Sequence, residues 1–139
     1  MDGIRTALVI AHVTANLVWI GSILAVAYIL AAKPGTPVER GQIGLGVYRR
    51  LAVPAFLISL TAGVARLLLD LDTYFVHSKW MHAKLLFALV VIGLHHVLGG
   101  RAKRMANGDK DDAGPATTLA VILLLSAAAA VFFVIRRPF

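Results

Sequence analysis

The chain has 139 residues, 59% of them hydrophobic, with fourteen Lys and Arg against seven Asp and Glu, and no cysteine. So apolar a composition excludes an ordinary soluble domain and makes the bilayer the natural solvent. The lack of cysteine excludes disulfides, thiolate metal sites and iron–sulfur clusters, and leaves histidine as the strong nitrogen ligand. The formal charge of +7 belongs in loops against lipid headgroups and does not point to nucleic acid.

Four apolar stretches, at about residues 4–32, 51–71, 80–99 and 117–135, are each near or above the ~20 residues needed to cross a hydrocarbon core. The expected fold is all-α: one transmembrane domain, an integral membrane four-helix bundle. Lys33, Arg40, Arg49 and Arg50 lie between the first two spans, and Arg101, Lys103, Arg104 and Lys110 between the last two; the other side has Arg5, Lys79, Arg136 and Arg137. This bias sets the two inter-span loops in the cytoplasm and both termini on the non-cytoplasmic side.

The first span carries His12, Asn16 and Trp19 at i, i+4 and i+7, a seam that should face protein and not lipid. It ends at Lys33-Pro34-Gly35, and a Pro- and Gly-containing loop is expected to follow, to Gly46. In the second span Arg49 and Arg50 sit at the headgroups, Pro54 introduces a kink, and Ser59, Gly63 and Arg66 form a small, polar stripe. Arg66 can pair with Asp70 at i+4, reach the outer headgroups, or contact a ligand. His77 lies in the short connection that follows, with Tyr74, Phe75 and Trp80 as interfacial aromatics.

The third span holds most of the ionisable groups: His82, Lys84, His95 and His96. Charged groups in hydrocarbon cost roughly 2.5–3.5 kcal/mol each on insertion scales, so a helix that keeps several uses them. His82, Leu86, Leu89, Gly93, His96 and Gly100 follow a 4-3-4-3-4 pattern on one face, while Lys84 and His95 are nearly eclipsed on another. The glycines favour the first face for the bundle interior, with Lys84 snorkelling outward. The loop RAKRMANGDKDDAGP is a solvated connector without a phosphate- or calcium-binding pattern, and the fourth span has no ionisable group and small residues from Ser126 to Ala130.

Two histidines from different helices at similar depth can hold haem iron from both faces, and His12 with His82 meets this description best. Arg66 and Lys84 are then the cations for propionates. Copper is the alternative cofactor, with Met81 as the one well-placed soft ligand. All carboxylates lie at helix ends or in loops, so no hydrolytic triad or carboxylate pair is expected.

His12 to Trp19 in the first span, YRRLAVPAF with Gly63 in the second, WMHAKL opening the third with a histidine before Gly100-Arg101 at its end, and the terminal RRPF together resemble the HemJ type of protoporphyrinogen IX oxidase and the broader CopD-like membrane family. The resemblance extends over nearly the whole chain, with Trp80-x-His82-x-Lys84 its most specific part. It implies a multi-pass protein of the cell inner (cytoplasmic) membrane that binds haem b, oxidises protoporphyrinogen IX to protoporphyrin IX and passes electrons to a quinone. His12 and His82 are the implied haem ligands or substrate-site groups, and His95 or His96 matches the histidine near the end of the third helix. Lys84 is implied to bind carboxylates or assist proton removal. A non-enzymatic haem- or copper-binding protein of the CopD-like type is the alternative, and a homo-oligomer is left open. Two family features are missing here: GSILAVAYILA at 21–31 has no arginine, and AGPATT at 113–118 has no Asn-Glu.

Overall fold

A computed structural model describes residues 2–138. The described residues form helices α1 (Asp2–Ala31), α2 (Pro37–Val47), α3 (Val53–Leu68), α4 (Leu71–Phe75), α5 (Lys79–Ala106) and α6 (Ala116–Arg136), with a π-helical turn, Tyr48–Ala52, joining α2 to α3. Four helical rods are long and apolar enough to cross a membrane: Asp2–Ala31, Pro37–Leu68, Lys79–Ala106 and Ala116–Arg136. Large apolar side chains cover their outer surfaces, among them Leu17, Tyr28, Leu125 and Ile135. Together these features make a multi-pass membrane bundle.

The second rod starts at Pro37, well before the expected boundary near Leu51. Thr36 caps it: its hydroxyl accepts from the Glu39 backbone N–H, and the Glu39 carboxylate accepts from the Thr36 N–H. Such a reciprocal box, with proline in the first turn, is a strong helix start. The glycines that read as loop are points of close approach. A side chain at Gly41 would overlap the backbone of Ala106, and one at Gly44 would reach Leu30 at 3.0 Å.

The kink expected at Pro54 takes the form of the π-helical turn, in which the Val53 N–H bonds to the Tyr48 carbonyl. Proline has no N–H and its ring crowds the carbonyl four residues back; widening the preceding turn relieves both. The wider turn seats the Tyr48 ring directly over Gly99 of α5.

α1 is the hub, packing on α2, α3, α5 and α6, while α5 packs on α2 and α6 and α3 makes no extended contact with α5 or α6. The core gathers Trp19, Ile23, Ala27, Phe56, Val91, Leu98, Ala120 and Leu123, with Val26, Leu30, Ala102 and Met105 beside the inter-span loops. No residue of α1 before Ala15 is buried, and none of α6 after Ser126. α1 and α6 therefore bury their side chains mainly toward the loop end, while at the end that carries the termini α5 keeps Trp80 and Met81 buried and stacks Phe87 on Phe133 of α6. At the terminal end, side chains tie helices together: Asp70 accepts from Arg5 of α1 at 2.7 Å and pairs with Arg66 of α3, and Trp80 packs on Tyr74 under the Arg137 guanidinium.

Candidate functional site: a polar layer above a caged histidine

The seam read from α1 faces protein, as expected, and its members serve two different neighbours. His12 and Asn16 meet α3. The His12 Nδ1–H donates to the Ser59 carbonyl at 2.8 Å, the Asn16 amide donates to His12 Nε2 at 3.1 Å, and the Ser59 hydroxyl donates to Asn16 Oδ1 at 2.9 Å. These bonds close on one another only when His12 is neutral with its proton on Nδ1, the assignment the network imposes. Gly63 makes room for the ring, since a Cβ there would stand 2.8 Å from His12 Nδ1.

Trp19, farther toward the loop end, meets α5. Its indole N–H donates to His95 Nδ1 at 3.0 Å. His95 is fully buried, with the Tyr48 and Phe56 rings at 4.8 and 5.0 Å and the His96 ring at 4.9 Å. Because Nδ1 accepts, Nε2 carries the proton, and Nε2 has no hydrogen-bond partner among the described residues.

The face of α5 that turns inward is the opposite of the one expected. Val91, His95, Leu98, Ala102 and Met105 are buried, whereas His82, Leu86, Leu89, Gly93 and His96 are exposed. At 3.6 residues per turn Lys84 lies on the inward azimuth with His95 and Ala102. The expectation rested on Gly93 and Gly100 as close-approach points, yet a Cβ at either meets open space; Gly99 is the glycine that admits a neighbour, the Tyr48 ring.

This rotation separates the two histidines expected to face each other across the bundle. His82 is exposed and touches the edge of the Phe75 ring at 5.4 Å, while His12 is engaged by Asn16 and Ser59. Among the described residues no group of three or more His, Asp or Glu side chains could hold a metal ion. Lys84, expected to snorkel outward, is instead half-buried on the inward face, close enough for its charge to act on the His12 ring. It has no ion pair or hydrogen bond among the described residues.

Arg66 takes the i+4 pairing with Asp70 and also donates to the Tyr74 hydroxyl at 3.0 Å. Arg5, counted from the sequence only among the cations of the terminal side, shares that carboxylate. His96 is exposed, against the Phe56 ring edge at 5.9 Å, and His77 sits 3.5 Å from the Asp72 carboxylate in the connection. The cage residues Tyr48 and Phe56 open and close the YRRLAVPAF stretch of the resemblance, but nothing in that stretch marked them as neighbours of His95, because the π-helical turn sets where the Tyr48 ring lands. Ser59 was legible as part of a polar stripe but not as the acceptor for His12. Comparison with protein-family models, with curated proteins and with solved structures finds no match to this chain.

Proposed function

We propose that the chain is a haem b oxidoreductase of the inner membrane, its termini on the non-cytoplasmic side, that oxidises protoporphyrinogen IX to protoporphyrin IX and passes the electrons to a quinone. The sequence resemblance introduces this reading, and the observation that carries it is the His12 ring. Imidazoles that bind metals characteristically donate the other ring N–H to a carbonyl or carboxylate, which fixes the tautomer and raises the basicity of the ligating nitrogen. The bond from His12 Nδ1–H to the Ser59 carbonyl has that form and leaves the lone pair on Nε2. Asn16, which now donates there, would turn aside.

The other histidines fit a metal less well. Trp19 donates to His95 Nδ1, so the free nitrogen of His95 bears a proton and offers no lone pair. His82 lies outside the bundle. The site therefore favours one protein ligand to the iron, His12, over a histidine pair. A haem held there supplies one-electron chemistry between porphyrin and acceptor. The chain's own part is binding and orientation: Lys84, without an ion pair or hydrogen bond among the described residues, offers its ammonium on the inward face for a substrate carboxylate.

The test is the spectrum of protein purified after expression with ample haem. Expected are a Soret band and split α/β bands on reduction, lost in His12→Ala and kept in His82→Ala. Absence of haem, or loss in His82→Ala with retention in His12→Ala, overturns the reading. For the activity, anaerobic conversion of protoporphyrinogen with an added quinone should lose about 10- to 100-fold in kcat/KM in Lys84→Met, the worth of a charge-assisted hydrogen bond of about 1.5–3 kcal/mol.

A further inference from the structure

Arg5 of α1 and Arg66 of α3 stand on either side of one carboxylate. Asp70 accepts from the Arg5 Nη2–H through Oδ1 at 2.7 Å and from the Arg66 Nη1–H through Oδ2, and Arg66 donates its other terminal N–H to the Tyr74 hydroxyl at 3.0 Å. Both oxygens of Asp70 are thereby engaged. Two guanidinium cations share one anion, and one positive charge is left over.

No other acid of this end takes up the difference. Asp72 is 82% exposed and turned to His77, and Asp2 has no ion pair among the described residues. Tyr74 is engaged on its ring as well as its hydroxyl, with the Arg66 guanidinium 5.2 Å above it and Trp80 meeting it edge-on. Donors are in excess too. The Nε–H of Arg5 and that of Arg66 are shut away from solvent without an acceptor, and Arg5 Nη1 has none among the described residues.

One arginine is enough to tie α1 to α3 through Asp70. The second loses hydration for half a partner, since the Arg5 and Arg66 side chains keep only 34% and 22% of their surface exposed, and a charge taken from water is stabilised only where it is fully paired. Guanidinium groups bind carboxylate and phosphate through parallel N–H bonds, so the complement of the leftover charge is an oxyanion. Tyr74 and Trp80 beside the pair are of the type that sits at the headgroup level, where lipid phosphates and the carboxylates of amphiphiles lie. We infer that Arg5 and Arg66 form a binding site for a singly charged oxyanion, phosphate or carboxylate, of which Asp70 is the internal occupant of one half. The inference stands without the haem reading.

Full-length protein, stripped of lipid in a neutral detergent, is titrated separately with phosphatidylglycerol, laurate and inorganic phosphate, with zwitterionic phosphatidylcholine as control, and binding is read by native mass spectrometry. The wild type should retain one oxyanion per chain and no phosphatidylcholine. Retention of phosphatidylglycerol alone assigns a lipid headgroup, of laurate as well an amphiphilic carboxylate, and of inorganic phosphate a free ion. Arg5→Gln leaves a neutral Asp70–Arg66 pair and should weaken binding about 10- to 100-fold, the effect of one charge-assisted hydrogen bond. Arg5→Lys, which keeps the charge, should restore most of it. Asp70→Asn removes the internal competitor and should tighten binding about 10-fold. A purely structural ion cluster gives no such opposite signs, because there both variants only loosen the fold. The inference is overturned if the wild type retains none of the three oxyanions, if Arg5→Gln binds like the wild type, or if Asp70→Asn binds no more tightly.

Discussion

The indole N–H of Trp19 donates to Nδ1 of His95 across 3.0 Å, joining α1 to α5 in the middle of the apolar core. The bond fixes the imidazole tautomer and sacrifices the other ring nitrogen, which stays buried and unpaired. Trp19→Phe leaves His95 Nδ1 without its donor and should cost about 1–3 kcal/mol, the usual penalty for stranding a buried polar atom. His95→Leu strands the indole N–H instead. Thermal unfolding of both single variants and the double variant should show the double losing less than the sum, by about 1 kcal/mol. Strict additivity would mean that the bond does not couple the two helices.

Two glycines of the fold, Gly99 and Gly21, should respond to alanine with opposite sign. At Gly99 a Cβ collides with the Tyr48 ring, which is held between α5 and the π-helical turn, so Gly99→Ala should destabilise by about 1–3 kcal/mol through overpacking. At Gly21 a Cβ meets nothing. There the better helix propensity of alanine should add up to about 1 kcal/mol. Melting temperatures in one detergent check the pair, and equal shifts would contradict the packing of the π-helical turn on α5.

What the sequence could reveal followed from periodicity and length, and what it hid followed from rotation. The four spans and the inward seam of His12, Asn16 and Trp19 rest on hydropathy and i, i+4, i+7 spacing, and the helices carry both. The inward face of α5 was not legible. Gly93, Gly99 and Gly100 are equally compatible with close approach by composition, and only the partner decides: Tyr48, delivered by the π-helical turn ahead of Pro54, lands on Gly99. That contact turns His95 and Lys84 inward and His82 and His96 outward. The start of α2 was hidden for a related reason, because its glycines read as loop until Ala106 and Leu30 are seen against them.

Asp70 holds Arg5 and Arg66 together at the terminal end, tying α1 to α3. All three side chains are partly exposed, so Asp70→Asn should cost only about 1 kcal/mol of global stability. Its larger effect should be local. Amides of Leu71–Phe75 and of the first turns of α1 should exchange with solvent faster in the variant, while those of Val91–Met105 keep their protection. Uniformly faster exchange would mean that the carboxylate supports the whole bundle and not this end of it.

Under the proposed function, Lys84 trades stability against ligand binding. Its ammonium is half-buried on the inward face of α5 without a counter-ion among the described residues, a placement that costs some fraction of the ~2.5–3.5 kcal/mol insertion penalty of a charged residue. Lys84→Met keeps the volume and apolar stem and removes the charge, so it should stabilise the apo protein by roughly 1 kcal/mol, because an unpaired buried charge gives nothing back to the fold. A carboxylate ligand reverses the sign. Coproporphyrin or another carboxylated porphyrin should raise the melting temperature of the wild type by mass action and leave that of Lys84→Met nearly unchanged. A variant that is both less stable and equally responsive to porphyrin would show that Lys84 serves the packing of α5 and no ligand.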